Sequence, residues 1–135
     1  MDFRNVPRGF WKDKDNVMKA VSYNGILLSL ADNCFRDMDD VVLKAVSNNG
    51  IALRYASRRL RNDNNIVLTA ICENSFAYRY ASRRFKRDYI KYRNSGLNIS
   101  LKDFLNGNFK VYSFKGLAIF DMVKSVKSKI KVFKK

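Results

Sequence analysis

A repeat of 25 residues constrains this chain more than any other feature of its sequence. Three segments align without gaps at that period, namely residues 15–36, 40–61 and 65–86. Valine, asparagine and alanine each recur at one repeat position, as Val17, Val42 and Val67, as Asn24, Asn49 and Asn74, and as Ala31, Ala56 and Ala81. A unit this short cannot bury its apolar face alone, so neighbouring copies must supply the core.

Each copy is predicted to fold as two short helices joined by a tight turn. In the second copy, Asp37, Asp39 and Asp40 offer N-cap and first-turn carboxylates for a helix through about residue 47. A second helix is expected to follow at once and to run through about Leu60. The expected fold is therefore all-α, with three stacked helical-hairpin repeats and a distinct, mostly helical C-terminal segment.

The turn between the two helices carries an Asn-Gly pair in the first two copies. In the second copy, Asn49-Gly50 predicts a helix stop at which the glycine takes the left-handed conformation. In the third copy Ser75 replaces this glycine, so Asn74 is expected to adopt positive φ there.

The repeat also predicts how the chain divides into domains. Residues 1–12 are expected to form an N-terminal lid and residues 13–93 the helical repeat domain. Residues 94–135 are expected to form a basic segment that caps the repeats, with a helix near residues 117–133. Before that helix, Phe109–Phe114 could form a short extended stretch.

The pattern Asp-x-x-Val-Leu-x-Ala-Val-x-x-Asn-Gly resembles a family of short helical repeats that is classified as a domain of unknown function. The resemblance covers about residues 13–86 and is most specific from Asp40 to Val46 and at Asn49-Gly50. That family is frequent in giant viruses and some bacteria, so the resemblance implies an all-helical fold and a viral source. Because no activity is established for the family, the resemblance implies no catalytic residue.

The net charge of +15 is not evenly spread along the chain. Residues 1–50 hold seven basic and seven acidic residues, so residues 51–135 carry the whole excess. Residues 51–93 are rich in arginine, whereas residues 94–135 contain lysine and no arginine. Such a gradient favours an acidic partner for the later copies and the C-terminal segment.

Arginines occupy matching positions of the second and third copies. Helical spacing predicts that Arg54, Arg58 and Arg61 share one face of the second copy. The first copy has Ser29 and Asn33 at two of these positions, so the scaffold does not require the charges. The residues expected to contact an acidic partner are Arg54, Arg58, Arg59, Arg61, Arg79, Arg83, Arg84, Lys86, Arg87, Tyr55, Tyr80, Lys124, Lys127 and Lys131.

This basic pattern has more than one interpretation. Guanidinium groups pair well with phosphate oxygens, and neighbouring tyrosines can stack on bases. A solvated face, whose arginines pair with aspartates of adjacent helices, would show the same spacing. The lysines of the predicted C-terminal helix could cap the repeats, contact phosphate or lie on an anionic membrane.

Catalytic chemistry is not expected. The chain has no histidine, which removes the commonest general base and the commonest zinc ligand. Cys34 and Cys72 form no CxxC motif, and the glycines form no phosphate-binding loop. We therefore expect a protein that is not an enzyme and that needs no metal or other cofactor.

The leading hypothesis is a virus-like binding or scaffold protein that engages nucleic acid without sequence preference. One alternative is a structural protein–protein component, such as a minor virion or capsid protein, that docks on acidic protein. A second alternative is binding to an anionic membrane surface through the C-terminal helix. The N-terminus is too polar for a signal peptide, and no apolar run approaches the roughly 18 residues of a membrane helix. An intracellular location, in host cytoplasm or virion, is therefore expected.

Overall fold

The computed structural model describes residues 2–107, 109–114 and 117–122, the last two ranges for their backbone only. The chain forms two compact units, Met1–Lys86 and Arg87–Lys135. Every regular element within residues 2–107 is helical, which confirms the all-α class for the repeats.

Elements of the three copies begin at equivalent positions. The α-helices are α1 (Lys14–Tyr23), α2 (Asn33–Arg36), α3 (Asp39–Asn48), α4 (Asn64–Glu73), α5 (Arg83–Ser95) and α6 (Leu101–Leu105). The 3₁₀-helices are Phe3–Asn5, Arg8–Lys12, Gly25–Leu30, Gly50–Tyr55, Leu60–Asn62 and Ser75–Tyr80. Each copy therefore starts with a long α-helix, which is α1, α3 or α4, and continues into a 3₁₀-helix.

The core consists of apolar residues at repeated positions. The fully buried set includes Val17, Val42 and Val67, together with Ala20, Ala45 and Ala70. α1 packs against α3 and α3 against α4, while the 3₁₀-helices of successive copies pack in the same order. The apolar face of each copy is thus covered by its neighbour, which is the main source of stability for a unit this short.

Residues 1–12 place aromatic side chains against α1. The buried ring of Phe3 has its centroid 5.9 Å from that of Phe10, 6.3 Å from that of Trp11 and 5.5 Å from that of Tyr23. The 3₁₀-helix Arg8–Lys12 also packs on α1. This aromatic cluster therefore joins the N-terminal 3₁₀-helices to the last residue of α1.

Aspartates cap two of the three long helices. The carboxylate of Asp13 accepts a hydrogen bond from the Asn16 N–H, and that of Asp63 from the Ile66 N–H, both at 3.0 Å. These bonds satisfy backbone donors that have no partner within the helix.

The start of α3 differs from this pattern. Met38 is its N-cap residue and makes no capping bond, while Asp39 and Asp40 lie in the first turn as predicted. The expectation that Asp37 caps this helix is wrong, because its carboxylate instead accepts a hydrogen bond from Ser57.

Gly25 and Gly50 are required by close packing between copies. A Cβ atom at Gly25 would lie 2.1 Å from the carbonyl oxygen of Ala45, and one at Gly50 would lie 2.2 Å from that of Ala70. Any side chain would therefore push neighbouring copies apart. Within the unit Met1–Lys86, α4 is the last long helix, so Ser75 meets no such carbonyl in a following copy.

The predicted left-handed helix stop is wrong. Positive φ occurs, among the glycines of the described residues, at Gly96 and Gly107 and not at Gly50. Asn49 and Asn74 are extended, with φ of −149° and −148°, so the positive φ expected at Asn74 is wrong as well. The physical reason is that each asparagine starts the next 3₁₀-helix with its side chain: the Asn49 amide oxygen accepts from the Ile51 N–H at 3.0 Å.

The second half of the second copy is not the continuous helix through about Leu60 that the sequence predicted. The 3₁₀-helix Gly50–Tyr55 ends at Ala56, whose φ of −67° and ψ of 156° are extended. Ser57 then donates its backbone N–H to the carbonyl oxygen of Arg36 in the preceding copy, at 2.9 Å. The prediction is wrong because a hydrogen bond between copies replaces the next bond within the helix.

The second unit contains a β-hairpin. Strand β1 (Phe109–Phe114) pairs antiparallel with strand β2 (Leu117–Met122), so the extended stretch predicted at 109–114 is present. The helix predicted near residues 117–133 is wrong over β2, and the rest of that prediction lies outside the described residues. In a short apolar run, helical spacing does not distinguish a helix from a strand that has a pairing partner nearby.

Gly50→Ala is expected to lower the free energy of unfolding by about 1–3 kcal/mol, because its methyl group would overlap a backbone carbonyl. Urea unfolding followed by circular dichroism measures this difference. Gly9→Ala is the matched control, since a Cβ at Gly9 would meet no atom within 4 Å. That control is expected to change stability by about 0.5 kcal/mol or less. Equal destabilisation by the two substitutions would contradict the packing role of Gly50.

Candidate nucleic-acid interface

A groove of about 750 Å³ lies where the second copy meets the third. Its lining residues are Arg58, Arg59, Arg61, Asn62, Tyr80, Ala81, Ser82, Arg83 and Arg84. Five guanidinium groups and no carboxylate line this groove, which we call the arginine groove. Its lining therefore favours a negatively charged ligand.

The walls of the arginine groove are formed by the turns that follow the 3₁₀-helices of the second and third copies. In the second copy the chain turns at Arg58 and Arg59 and then forms the short 3₁₀-helix that contains Arg61. In the third copy the corresponding turn leads into α5. The backbone N–H of Ser82 donates to the carbonyl oxygen of Arg61 at 2.8 Å and so joins the two walls.

Two of the five arginines are held in the same way one repeat apart. Arg59 donates from Nε to the Asp37 carboxylate at 3.1 Å and from Nη2 to the Asp37 carbonyl oxygen at 2.6 Å. Arg84 donates from Nε to the Asn62 amide oxygen at 2.8 Å and from Nη2 to the Asn62 carbonyl oxygen at 2.6 Å. We call each of these arrangements an arginine clamp.

A serine and a second polar side chain complete each arginine clamp. Ser57 Oγ donates to the Asp37 carboxylate at 2.5 Å, and Ser82 Oγ donates to the Asn62 amide oxygen at 2.6 Å. The second polar side chain is Asp39 for Arg59, at 2.7 Å, and Asn64 for Arg84, at 3.2 Å. The clamps fix the turns that form the groove, so Arg59 and Arg84 have a structural role besides the charge they contribute.

The clamp in the second copy shifts a pKa. The hydrogen bond from Ser57, and next the hydrogen bond and positive charge of Arg59, hold the pKa of the Asp37 carboxyl below its ordinary value. Asp37 therefore stabilises the fold at neutral pH, and this contribution is lost as the pH falls through the lowered pKa.

Arg58 and Arg83 differ from the clamp arginines. They occupy equivalent positions of the second and third copies, are exposed, and both line the groove. Neither forms an ion pair within the part of the chain that the structure describes. Their guanidinium groups are therefore free to meet an anionic ligand.

Arg61 is the most unusual of the five arginines. Its Nε is buried and has no hydrogen-bond acceptor among the described residues. A buried donor without an acceptor costs about 1–3 kcal/mol. No other described residue that is at least partly buried has a side-chain nitrogen or oxygen in this state.

The remaining predicted residues of unit Met1–Lys86 lie outside the lining of the groove. The Arg54 guanidinium carbon lies 5.8 Å from the ring centroid of Tyr55 and 5.9 Å from that of Tyr80 in the next copy. These distances suit cation–π contacts that link the two copies. Lys86 lies 5.8 Å from the ring centroid of Tyr78, and Arg79 is exposed.

The structure thus divides the predicted arginine face. Arg58 and Arg61 lie in the groove while Arg54 does not, because the chain leaves its helix at Ala56. Arg87 is exposed in the second unit. The predicted lysines Lys124, Lys127 and Lys131 lie outside the described residues.

Sequence reasoning missed the polar residues that build the clamps. Ser57, Ser82 and Asn62 were not among the predicted site residues, although Ser-Arg-Arg recurs at 57–59 and 82–84. This recurrence, compared position by position like the apolar residues, could have identified the two serines, whereas Asn62 is equivalent to Asp37 and Arg87 and has no such recurrence.

A second groove, of about 600 Å³, lies at the equivalent part of the first copy. Its lining residues are Leu30, Ala31, Asp32, Asn33, Cys34 and Arg36. This lining includes a carboxylate and a single guanidinium, which donates to the carbonyl oxygens of Ser29 and Ala31. The repeat therefore forms such a groove without an arginine cluster.

Comparison with known proteins finds a family model to which part of the chain is similar. Residues 39–86 match the family model described as a domain of unknown function, DUF4116. This range contains the second and third copies and every residue that lines the arginine groove. No curated protein and no solved structure matches the chain.

Two further observations bear on the chemistry of the described residues. They contain no group of three or more His, Cys, Asp or Glu residues that could hold a metal ion. None of their helices is long and apolar enough to cross a membrane.

Asp37→Asn is expected to reduce the loss of stability that the protein shows on acidification. Asparagine occupies the equivalent position at Asn62, so the substitution preserves the clamp but removes the titrating group. Urea unfolding at neutral and acidic pH measures the change. Asp32→Asn is the control, because the Asp32 side chain makes no capping bond. If Asp37→Asn and Asp32→Asn both lost as much stability on acidification as the unmodified protein, the clamp would not account for the acid sensitivity of the protein.

Proposed function

We propose that the repeats bind nucleic acid without sequence preference and that the arginine groove is the contact site. The observation that carries this proposal is a groove lined by five arginines and no carboxylate. Arg58 and Arg83 supply guanidinium groups that are exposed and without an ion pair among the described residues. Guanidinium groups bind phosphate oxygens in a bidentate geometry and displace condensed counterions.

An aromatic side chain supports a polymer of nucleotides over other polyanions. Tyr80 lines the arginine groove beside these guanidinium groups. Proteins that bind single strands combine a positively charged groove with aromatic side chains on which bases stack, and Tyr80 supplies one such ring.

The polar side chains of the groove support binding without base readout. Asn62 is the one amide in its lining, and the Asn62 oxygen already accepts hydrogen bonds from Ser82 and Arg84. Asparagine reads adenine through both its amide oxygen and its amide nitrogen. Because the oxygen is engaged in the clamp, the groove offers contacts to the backbone and to ring faces.

Arg58→Gln and Arg83→Gln are each expected to weaken binding to short oligonucleotides. Each substitution removes about one phosphate contact, so the slope of log affinity against log salt should become shallower by about 0.7–0.9. Fluorescence anisotropy over a series of salt concentrations measures this slope for single strands and duplexes. Lys44→Gln is the matched control, since Lys44 is exposed on α3 and does not line the groove.

Two results would contradict the proposed function. The first is the absence of any complex with single strands or duplexes at low salt. The second is an equal change of slope for Lys44→Gln and for the two groove variants, which would show that binding follows net charge alone.

Tyr80→Leu is expected to weaken binding of single strands by about 1–3 kcal/mol, the range for loss of one stacked base. Duplex binding should change less, because paired bases do not stack on a side chain. Leu30 occupies the equivalent position of the first copy, which shows that the repeat accommodates leucine there. Tyr55→Leu is the control, since Tyr55 also contacts Arg54 but lies outside the groove lining. An equal loss for both tyrosine variants would exclude stacking at Tyr80.

A further inference from the structure

The repeat places a basic residue at one position in every copy, and Arg61 alone of the three lacks an acceptor for its buried donor. In the first copy Arg36 donates from Nε to the Ala31 carbonyl oxygen at 3.1 Å and from Nη2 to the Ser29 carbonyl oxygen at 2.5 Å. In the third copy Lys86 donates to the Arg79 carbonyl oxygen at 2.6 Å. The Nε of Arg61 has no such acceptor among the described residues.

The surroundings of Arg61 favour an anion as the missing acceptor. Arg61 lines the arginine groove, where Arg58 and Arg83 are exposed on its two walls. Positive charges close together repel one another, and a bound anion relieves that repulsion. A rotation of the Arg61 side chain towards such an anion breaks no bond at Nε, because Nε has none to lose.

We propose that the arginine groove contains a discrete phosphate site in which Arg61 is the central ligand. The Nε–Nη2 edge of Arg61 takes two oxygens of the phosphate group, as the same edge of Arg36 takes two carbonyl oxygens. Arg58 and Arg83 contribute charge from the walls of the groove. This inference rests on the proposed function in placing phosphate in the groove, but it requires in addition that inorganic phosphate binds on its own.

The phosphate group could belong to a nucleic-acid backbone or to a small free ligand, and the chemistry of recognition is the same. A backbone phosphate would make Arg61 one contact among several along a strand. A free phosphate group would make Arg61 the principal contact. Separate titrations with inorganic phosphate and with oligothymidylate distinguish these sources.

The direct test follows the Nε–H signals of the arginines by NMR during titration with inorganic phosphate at constant ionic strength. The Arg61 signal is expected to shift and to saturate. The Arg36 signal is the internal reference, because its Nε remains bonded to the Ala31 carbonyl oxygen. A signal of Arg61 that moves no more than that of the exposed Arg79 would overturn the proposal.

Arg61→Lys provides an independent test that preserves the charge. Lys86 occupies the equivalent position of the third copy, so the repeat accommodates lysine there. Without the bidentate fork, affinity for inorganic phosphate should fall about tenfold in calorimetric titration. Arg8→Lys, exposed and outside the groove lining, is the control and should retain the affinity of the unmodified protein. Circular dichroism verifies that each variant is folded, and the NMR titration decides the question if Arg61→Lys is not.

The outcomes separate this inference from the proposed function. If Arg61→Lys and the unmodified protein bind phosphate equally, the discrete site is wrong even where Arg58→Gln and Arg83→Gln weaken oligothymidylate binding. If phosphate saturates the Arg61 signal but no oligonucleotide binds, the site is supported and its ligand is a small phosphate. If phosphate saturates the Arg61 signal and Arg61→Lys weakens oligothymidylate binding, the discrete phosphate site and the proposed function are both supported.

Discussion

The groove at the junction of the second and third copies depends on one backbone hydrogen bond that recurs between successive copies. Ser57 donates its N–H to the Arg36 carbonyl oxygen, and Ser82 donates to that of Arg61. Because these donors are used between copies, the 3₁₀-helices Gly50–Tyr55 and Ser75–Tyr80 each end at the alanine before the serine. The chain then turns, and the turns of adjacent copies form the two walls of a groove. The same bond that joins the copies therefore also creates a concave surface at their junction.

The repeated apolar positions predicted the core, since burial depends on a residue's place in the repeat and that place is visible in the sequence. Gly50 was misinterpreted for an equally physical reason. A glycine that recurs in two copies indicates that a Cβ is excluded there, but not whether φ or a neighbouring atom excludes it. Here the carbonyl oxygen of Ala70 excludes it, at 2.2 Å from where the Cβ would lie. That contact joins residues of different copies and has no signal within one copy.

The sequence predicted which arginines belong to the candidate site, but not which of them are held by other side chains and which are exposed without an ion pair. Alignment of the copies identified the paired arginines, yet the adjacent Arg58 and Arg59 differ in their bonding partners. Both are exposed, but Arg59 is fixed by Asp37, 22 residues earlier, whereas Arg58 forms no ion pair among the described residues. Which of two neighbouring arginines is engaged depends on the direction of a turn, and helical periodicity wrongly predicted a continuous helix there.

The two arginine clamps also explain why the positive charge is concentrated at the second junction. In the second copy the clamp uses the carboxylates of Asp37 and Asp39, which offset the charge of Arg59. In the third copy Asn62 takes the place of Asp37 and holds Arg84 through the same bonds without adding negative charge. An amide satisfies the geometry of a guanidinium group as a carboxylate does, but leaves its charge uncompensated at that contact. The second and third copies thus share the same clamp geometry. The junction between them, which lines the arginine groove, has the greater uncompensated positive charge.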